Sequence, residues 1–182
     1  MVRACFFDRD GILNHLIKRE DGSYTAPWTI DEFEFIDMAK EAVQLVVSLG
    51  FGALCVTNQP DVYDGKLDQI HLNIMNLMCV NWLGLDELVV AYERGSAWYK
   101  PNNGMIETLI KKYNIDRSQS YIIGDRWKDI VAGHKSKLTT IYVGANYTKE
   151  QRPEKYKDIF PDYIVDSTLQ AATLIEELSY DD

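Results

Sequence analysis

The stretch FFDRDGILN, from Phe6 to Asn14, places Asp8 and Asp10 directly behind an apolar start. Three later stretches carry groups of matching chemistry: Thr57 and Asn58 in VTNQ, Lys100 in WYKPNNGM, and Asp125 and Asp129 in GDRWKD. Gathered in one cleft, they supply four carboxylates, a hydroxyl, an amide and an ammonium. Like charges repel, so such a cluster needs cations, here the lysine and a divalent metal. Oxygen-only ligands select a hard ion, and carboxylates plus a substrate phosphate are the usual way Mg²⁺ is held. A carboxylate anchored beside a phosphoryl group can attack phosphorus and form an acyl phosphate that water later hydrolyses. The oxygens of the transferred group then need donors, and the metal, Lys100, Thr57 and backbone N–H groups are of the right kind.

Taken singly, each stretch has a plainer reading. Asp and Gly favour turns, so Asp-x-Asp-Gly suits an ordinary strand-end turn. Thr57 and Asn58 suit a turn or helix cap, Lys100 before Pro101 a solvated loop residue, and Asp129 an exposed helix charge. Their order, each at the exit of an apolar run, favours chemistry over coincidence.

The elements that must position these groups are short apolar runs alternating with helical periods. Strands are predicted at Ala4–Phe7, Gly52–Thr57, Glu87–Tyr92, Ser120–Gly124 and Thr139–Gly144, with a weaker one at Asp162–Val165. MAKEAVQLVVSLG puts Ala42, Leu45, Val46 and Leu49 on one helical face and stops at Gly50; LDQIHLNIMNLMCVNWLG repeats the pattern with Ile70, Ile74, Leu77 and Met78 and ends at Gly84. NGMIETLIKKYNI, with Ile106, Leu109, Ile110 and Tyr113, is a third helix, and RWKDIVAGHKSK and TLQAATLIEELS complete the series. The alternation predicts an α/β fold, a Rossmann-like doubly wound parallel sheet with ligands beyond the carboxyl ends of the strands. The 182 residues suit a single domain spanning 1–182. His15 to Phe35 lacks a period and is expected to be a substrate-facing loop or small flap, a minimal cap made of loops only. Arg19, Tyr24 and Trp28 in that segment, with Arg94 and Trp98 in the loop before Lys100, are candidates for substrate contact.

Composition narrows the partners. A net charge of -9 and a pI near 4.8 disfavour a nucleic-acid surface, which relies on clustered Lys and Arg. No apolar run approaches the roughly 18 residues that span a bilayer, and MVRACFFDRD has neither the apolar length nor the cleavage site of a signal peptide. A cytoplasmic protein without a membrane partner is expected. Cys5, Cys55 and Cys79 lie in apolar segments without metal-ligand spacing and read as buried free thiols. No large apolar face stands out, so a monomer is expected.

The motifs DRDG, VTNQ, KP and GDRWKD, from Phe6 to Asp129, resemble those of the haloacid dehalogenase-like (HAD) phosphatases. FFDRDGILN followed by FEFI, VTNQ and KPNNGM is similar to the branch that holds D,D-heptose 1,7-bisphosphate phosphatase and the histidinol-phosphate phosphatase domain. The resemblance implies an Mg²⁺-dependent phosphomonoesterase for a small phosphorylated metabolite, such as a heptose (bis)phosphate. By position, Asp8 would be the nucleophile and Asp10 the general acid and base. Thr57 and Asn58 would bind the phosphoryl group with Arg19 and Arg94 near the substrate, and Lys100 would stabilise charge. Asp8, the backbone carbonyl of Asp10, and Asp125 would hold Mg²⁺, with Asp129 supporting the metal shell.

Two departures bear on the substrate. The heptose-bisphosphate branch carries a Cys/His zinc loop before the lysine, whereas YERGSAWYKP has neither residue, so zinc is not expected. That branch also places arginine before the lysine where this chain has Tyr99, and loss of a bidentate phosphate donor weakens the case for a bisphosphate. Pro60 and Asp61 follow VTNQ in place of a glycine-rich turn; Asp61 and Asp64 make that loop less welcoming to a second phosphate, and Lys66 compensates in part. His15 and His71 have weaker claims to a role. Histidinol phosphate and a nucleic-acid 3′-end phosphate are alternative substrates, and a non-catalytic HAD-fold binding protein is the alternative of another class. A signalling receiver domain also gathers acidic residues, Thr and Lys, but places its acidic pair first and its phosphorylated aspartate mid-chain, the reverse of the order here.

Overall fold

A computed structural model describes residues 1–144 and 153–180. Six parallel strands form one sheet in the order β5-β4-β1-β6-β7-β8: β1 Ala4–Phe7, β4 Gly52–Asn58, β5 Glu87–Ala91, β6 Tyr121–Gly124, β7 Thr139–Val143 and β8 Tyr163–Val165. Each lies within about a residue of its predicted run. Helices α1 (Ala39–Ser48), α2 (Pro60–Tyr63), α3 (Gln69–Met78), α4 (Gly104–Tyr113), α5 (Trp127–Ser136) and α6 (Thr168–Tyr180) connect or follow the strands.

The fully buried β1 shows why a continuous apolar run is needed at the sheet centre. Cys5 and Phe7 point to one face, where they pack in one core with Val43 and Val46 of α1 and Ile175 of α6. Ala4 and Phe6 point to the other, with Met105, Ile106 and Leu109 of α4 and Ala132 of α5. A strand covered on both sides has no polar alternation, because both of its faces leave water. Gly50 and Gly84 take φ of +86° and +82° where α1 and the α3 segment end, as their predicted capping role requires.

Two expectations are corrected. The face of α3 that carries Ile70, Ile74 and Leu77 is not the core face: Ile70 and Leu77 are 67% and 58% exposed, and Leu72 and Met75 are buried instead. The helix carries two sets of apolar residues, one of Ile70, Ile74 and Leu77 and one of Leu72 and Met75, so periodicity alone does not select the inner face. Ile74, Leu77 and Met78 line an open apolar groove with Phe35 and Trp82, whose rings stack at 4.6 Å.

The segment from His15 to Phe35 is also more than loop. Ile17–Lys18 (β2) and Tyr24–Thr25 (β3) form an antiparallel hairpin, closed by Arg19 and Ser23 and turning at Gly22 with φ of +81°. Cys5, Cys55 and Cys79 are buried and free, as read. Among the described residues no helix is long and apolar enough to cross a membrane.

Candidate active site

β1 lies between β4 and β6, so the chain leaving β1 at Asp8 has the ends of β4 and β6 on either side. β4 delivers Thr57 and Asn58, β6 delivers Asp125, and the first turn of α5 brings Asp129 back to the same place. Asp8, Asp125 and Asp129 each present a carboxylate oxygen within 4.8 Å of the others. The Lys100 ammonium donates to Asp8 Oδ1 at 2.8 Å and the backbone carbonyl of Val56 at 2.7 Å, and pairs with Asp129 Oδ1 at 2.6 Å. Asp8 Oδ1 also accepts from the backbone N–H of Arg9 at 2.8 Å.

Close approach is built into the backbone. A methyl group on Gly11 would overlap the Asp125 carboxylate, and one on Gly124 would overlap the Asp129 side chain. Glycine at both positions lets these carboxylates lie against the main chain.

The centre is buried and unbalanced. Burial, then the neighbouring Asp129 carboxylate, push Asp8 up to about 6, against the pull of Lys100. Burial, followed by Asp8 and Asp129, holds Asp125 well above the ordinary carboxylate range. Burial alone would lower Lys100, but Asp129 and Asp8 outweigh it and hold the ammonium above its ordinary value. Four buried carboxylates (Asp8, Asp10, Asp125, Asp129) face two buried cations (Arg9, Lys100), leaving two negative charges over. Both oxygens of Asp125 are buried without a hydrogen-bond partner. A carboxylate in that condition is costly unless a cation is near. The all-oxygen donor set and the excess of two charges fit Mg²⁺.

Other expected residues are placed differently. The Asp10 carboxylate is not in the close group of Asp8, Asp125 and Asp129; it accepts from Arg9, Asn14 and Gln59. Thr57 is buried, its hydroxyl accepting from Gln59 Nε2 at 2.8 Å. Asn58 lines the pocket, but both ends of its amide are engaged by the Lys100 backbone.

Arg19, expected near the substrate, is engaged within the flap. It makes two bonds to the Glu32 carboxylate at 2.6 and 3.0 Å, donates to Thr25 and the Ala26 carbonyl, and lies 3.7 Å over the Trp28 ring. Its donors hold the flap together, and it is not among the pocket residues. Trp28 donates its indole N–H to Asp61 at 2.9 Å, tying the flap to the loop after β4. Trp98 and His15 also stand outside the pocket wall.

The pocket at the carboxyl ends of the strands has a volume of about 270 Å³. Asp8, Asp10, Lys100 and Asp129 form part of its wall, and Leu16, Tyr24, Thr25 and Ala26 of the flap form another part. Arg94, Arg126 and Lys128 bring positive charge to it. Arg94 is paired with Asp64 through two bonds of 2.7 Å, and Lys128 lies 5.8 Å from the Tyr99 ring. Arg126 and Lys128 go beyond the sequence expectations, although both belong to GDRWKD, whose carboxylates carry the motif. Arg9, Asn14 and Gln59 were also passed over, although FFDRDGILN and VTNQ contain them.

Comparisons with known proteins bear on the family of the chain. The family described as HAD-hydrolase-like matches residues 97–171. The chain is 30% identical to the D-glycero-beta-D-manno-heptose-1,7-bisphosphate 7-phosphatase of Haemophilus ducreyi, over 90% of this chain and 95% of that protein. It is 28% identical to the D-glycero-D-manno-heptose-1,7-bisphosphate 7-phosphatase of Chlorobaculum tepidum, over 94% and 93%. The fold matches the crystal structure of D,D-heptose 1,7-bisphosphate phosphatase from B. bronchiseptica, a complex with magnesium and phosphate. That match has a TM-score of 0.81 at 19% identity and covers 97% of this chain and 99% of that one. Shared fold, motif order and relatives lead to one conclusion: the chain belongs to the haloacid dehalogenase-like phosphatases.

Proposed function

We propose that the protein is an Mg²⁺-dependent phosphomonoesterase for a small phosphorylated sugar, acting through an aspartyl-phosphate on Asp8. The observation that carries this reading is the group Asp8, Asp125 and Asp129 around Lys100, with both Asp125 oxygens lacking a partner. Asp8 and Asp125 would hold Mg²⁺ with the Asp10 carbonyl, and Asp129 supports that shell while pairing with Lys100. Bound there, the ion supplies charge neutralisation for the nucleophile and the phosphoryl oxygens.

The residues of the chain divide the remaining work. Asp8 attacks phosphorus as the bond to the leaving oxygen breaks, and Asp10 gives that oxygen its proton. Water then attacks the phosphorus of the aspartyl-phosphate, Asp10 takes the proton from water, and phosphate departs with Asp8 restored. Lys100 offsets charge on the transferred group, and the Thr57 hydroxyl and backbone N–H groups donate to its oxygens. Asn58 fixes the loop that carries Lys100.

A substrate of modest size suits the pocket volume, and Arg94, Arg126 and Lys128 favour a second anionic group on it. Heptose 1,7-bisphosphate, named for the relatives, combines both properties and is the first substrate to assay. The hairpin flap then serves as the substrate-facing wall of a single α/β unit.

The test is Asp8→Asn with saturating Mg²⁺, assayed on an aryl phosphate and on a panel of sugar phosphates and bisphosphates. Loss of turnover on every substrate is expected. Wild-type rates in the variant would overturn the assignment of Asp8.

A further inference from the structure

Asp10 is held unlike the other three carboxylates. Its Oδ1 accepts from Arg9 Nε at 3.1 Å, Arg9 Nη2 at 2.8 Å and Asn14 Nδ2 at 3.0 Å, while its Oδ2 accepts from Gln59 Nε2 at 2.6 Å. Arg9 has no exposed surface, and its Nη1 donates to Asn76 Oδ1 of α3 at 2.8 Å. Asn14 and Gln59 are likewise fully buried. Resting on the reading of Asp10 as the acid and base, we propose that Arg9 and Gln59 are its positioning residues, and that Oδ2 is the oxygen through which its proton passes.

The two oxygens are not equivalent. Placing a proton on Oδ1 would displace at least one of three donors, two of them from a guanidinium that keeps its protons. Inside the protein that displaced donor would have no water to turn to. Oδ2 meets a single donor, an amide, and amides have an acceptor end as well.

The amides of Asn14 and Gln59 differ in the way this role requires. Asn14 Nδ2 also donates to the backbone carbonyl of His15 at 3.0 Å, a group that can only accept, so this amide is locked in one orientation. Gln59 Nε2 donates to Asp10 Oδ2 and to the Thr57 hydroxyl at 2.8 Å, and each of these partners can become a donor once it holds or turns a proton. Gln59 Oε1 is buried without a partner. A half-turn of the Gln59 amide therefore offers an acceptor to protonated Asp10 and to Thr57, exchanging one unpartnered amide atom for another. With Asp10 anionic, the amide donates to both, and the Thr57 hydroxyl proton is released to an outside acceptor such as a phosphoryl oxygen. The locked amide faces the oxygen that keeps its charge, and the reversible one faces the oxygen that exchanges a proton.

The experiment compares Gln59→Met and Arg9→Gln with wild type, with Mg²⁺, on an aryl phosphate whose phenolate leaves unaided and an alkyl phosphate whose alkoxide needs a proton. The alkyl phosphate is expected to lose about 10²–10³-fold in kcat with KM within threefold, the scale of a lost general acid. On the aryl phosphate, the variants are expected to release one phenolate per enzyme at a rate within threefold of wild type. They then turn over slowly, with acid-stable quenched phosphoenzyme accumulating because water activation is impaired. In an Asp10→Asn background, Gln59→Met is expected to add less than twofold. An equal fall on both substrates without a burst, or full additivity with Asp10→Asn, would overturn the proposal. If Arg9→Gln fails to fold, as thermal melting will show, the volume-matched Gln59→Met decides alone. An Asp10→Asn variant that keeps wild-type turnover of the alkyl phosphate overturns the acid and base assignment of Asp10 itself, and the positioning roles with it.

Discussion

Asn58 grips Lys100 by the main chain: its Nδ2 donates to the Lys100 carbonyl and its Oδ1 accepts from the Lys100 N–H, each at 3.0 Å. The residue at the end of β4 thereby fixes a loop 42 positions later that brings the ammonium to Asp8. Asn58→Ala removes both bonds while leaving every charge in place. The expected result is a fall in kcat of about 10- to 100-fold, the scale of a misplacement near 1 Å, with a smaller change in KM. Steady-state kinetics at saturating Mg²⁺ check it, and a kcat within twofold of wild type would show that the loop holds its place without Asn58.

Gly11→Ala tests the close approach to Asp125. At a φ of +92° a side chain costs about 1–2 kcal/mol in backbone strain, and the new methyl group would overlap the Asp125 carboxylate. Displacing that carboxylate is expected to raise the Mg²⁺ concentration for half-maximal activity by about 10- to 100-fold, as loss of a supporting contact at a metal site does. Metal titration of activity measures this, and an unchanged half-point with a lowered Tm would confine Gly11 to a backbone role.

The carboxylate excess makes the metal-free protein sensitive to pH. Asp8 rises from an ordinary 3.8 to about 6 in the folded chain, and Asp125 rises too. Between these values the folded state binds more protons than the unfolded one, so stability falls as pH increases through about 6. The Asp8 shift alone corresponds to roughly 3 kcal/mol. In a chelator, Tm is therefore expected to drop between pH 5 and pH 7.5, and saturating Mg²⁺ is expected to remove the drop at the upper end. Parallel Tm curves with and without Mg²⁺ would mean that the ion does not bind at these carboxylates.

Asp8, Asp10 and Asp125 were legible because they follow directly on β1 and β6, and a parallel sheet sends all its exits to one edge; Lys100, in the loop after β5, and Asp129, in the first turn of α5, follow further along the same connections. Side-chain direction was not legible. Arg19 sits in a loop facing the pocket, yet its guanidinium serves Glu32, Thr25 and Ala26, partners that only the folded flap supplies. Arg9, between Asp8 and Asp10, takes a fully buried position in which Asp10 and Asn76 offer it acceptors. The inner face of α3 was illegible for another reason: Ile70, Leu72, Met75 and Leu77 are all apolar, and only the surrounding packing decides which pair is buried.

Lys128 and Lys100 both border the pocket, but it is Lys100 that pairs with Asp8 and Asp129, while Lys128 lies near the Tyr99 ring. On the proposed reading, the charge of Lys128 bears on a distal part of the substrate rather than on the reacting phosphoryl group. A partly exposed cation of this kind is worth about 1 kcal/mol, or roughly a fivefold change in affinity, and salt screens it. Lys128→Ala is accordingly expected to raise KM about fivefold for a sugar bisphosphate, leave KM for the matching monophosphate unchanged, and alter kcat for neither. Measuring both substrates at low and high ionic strength checks the assignment, because the bisphosphate advantage of the wild type must shrink with salt. An equal rise in KM for both substrates would place Lys128 at the reacting phosphate, and no rise for either would remove it from recognition.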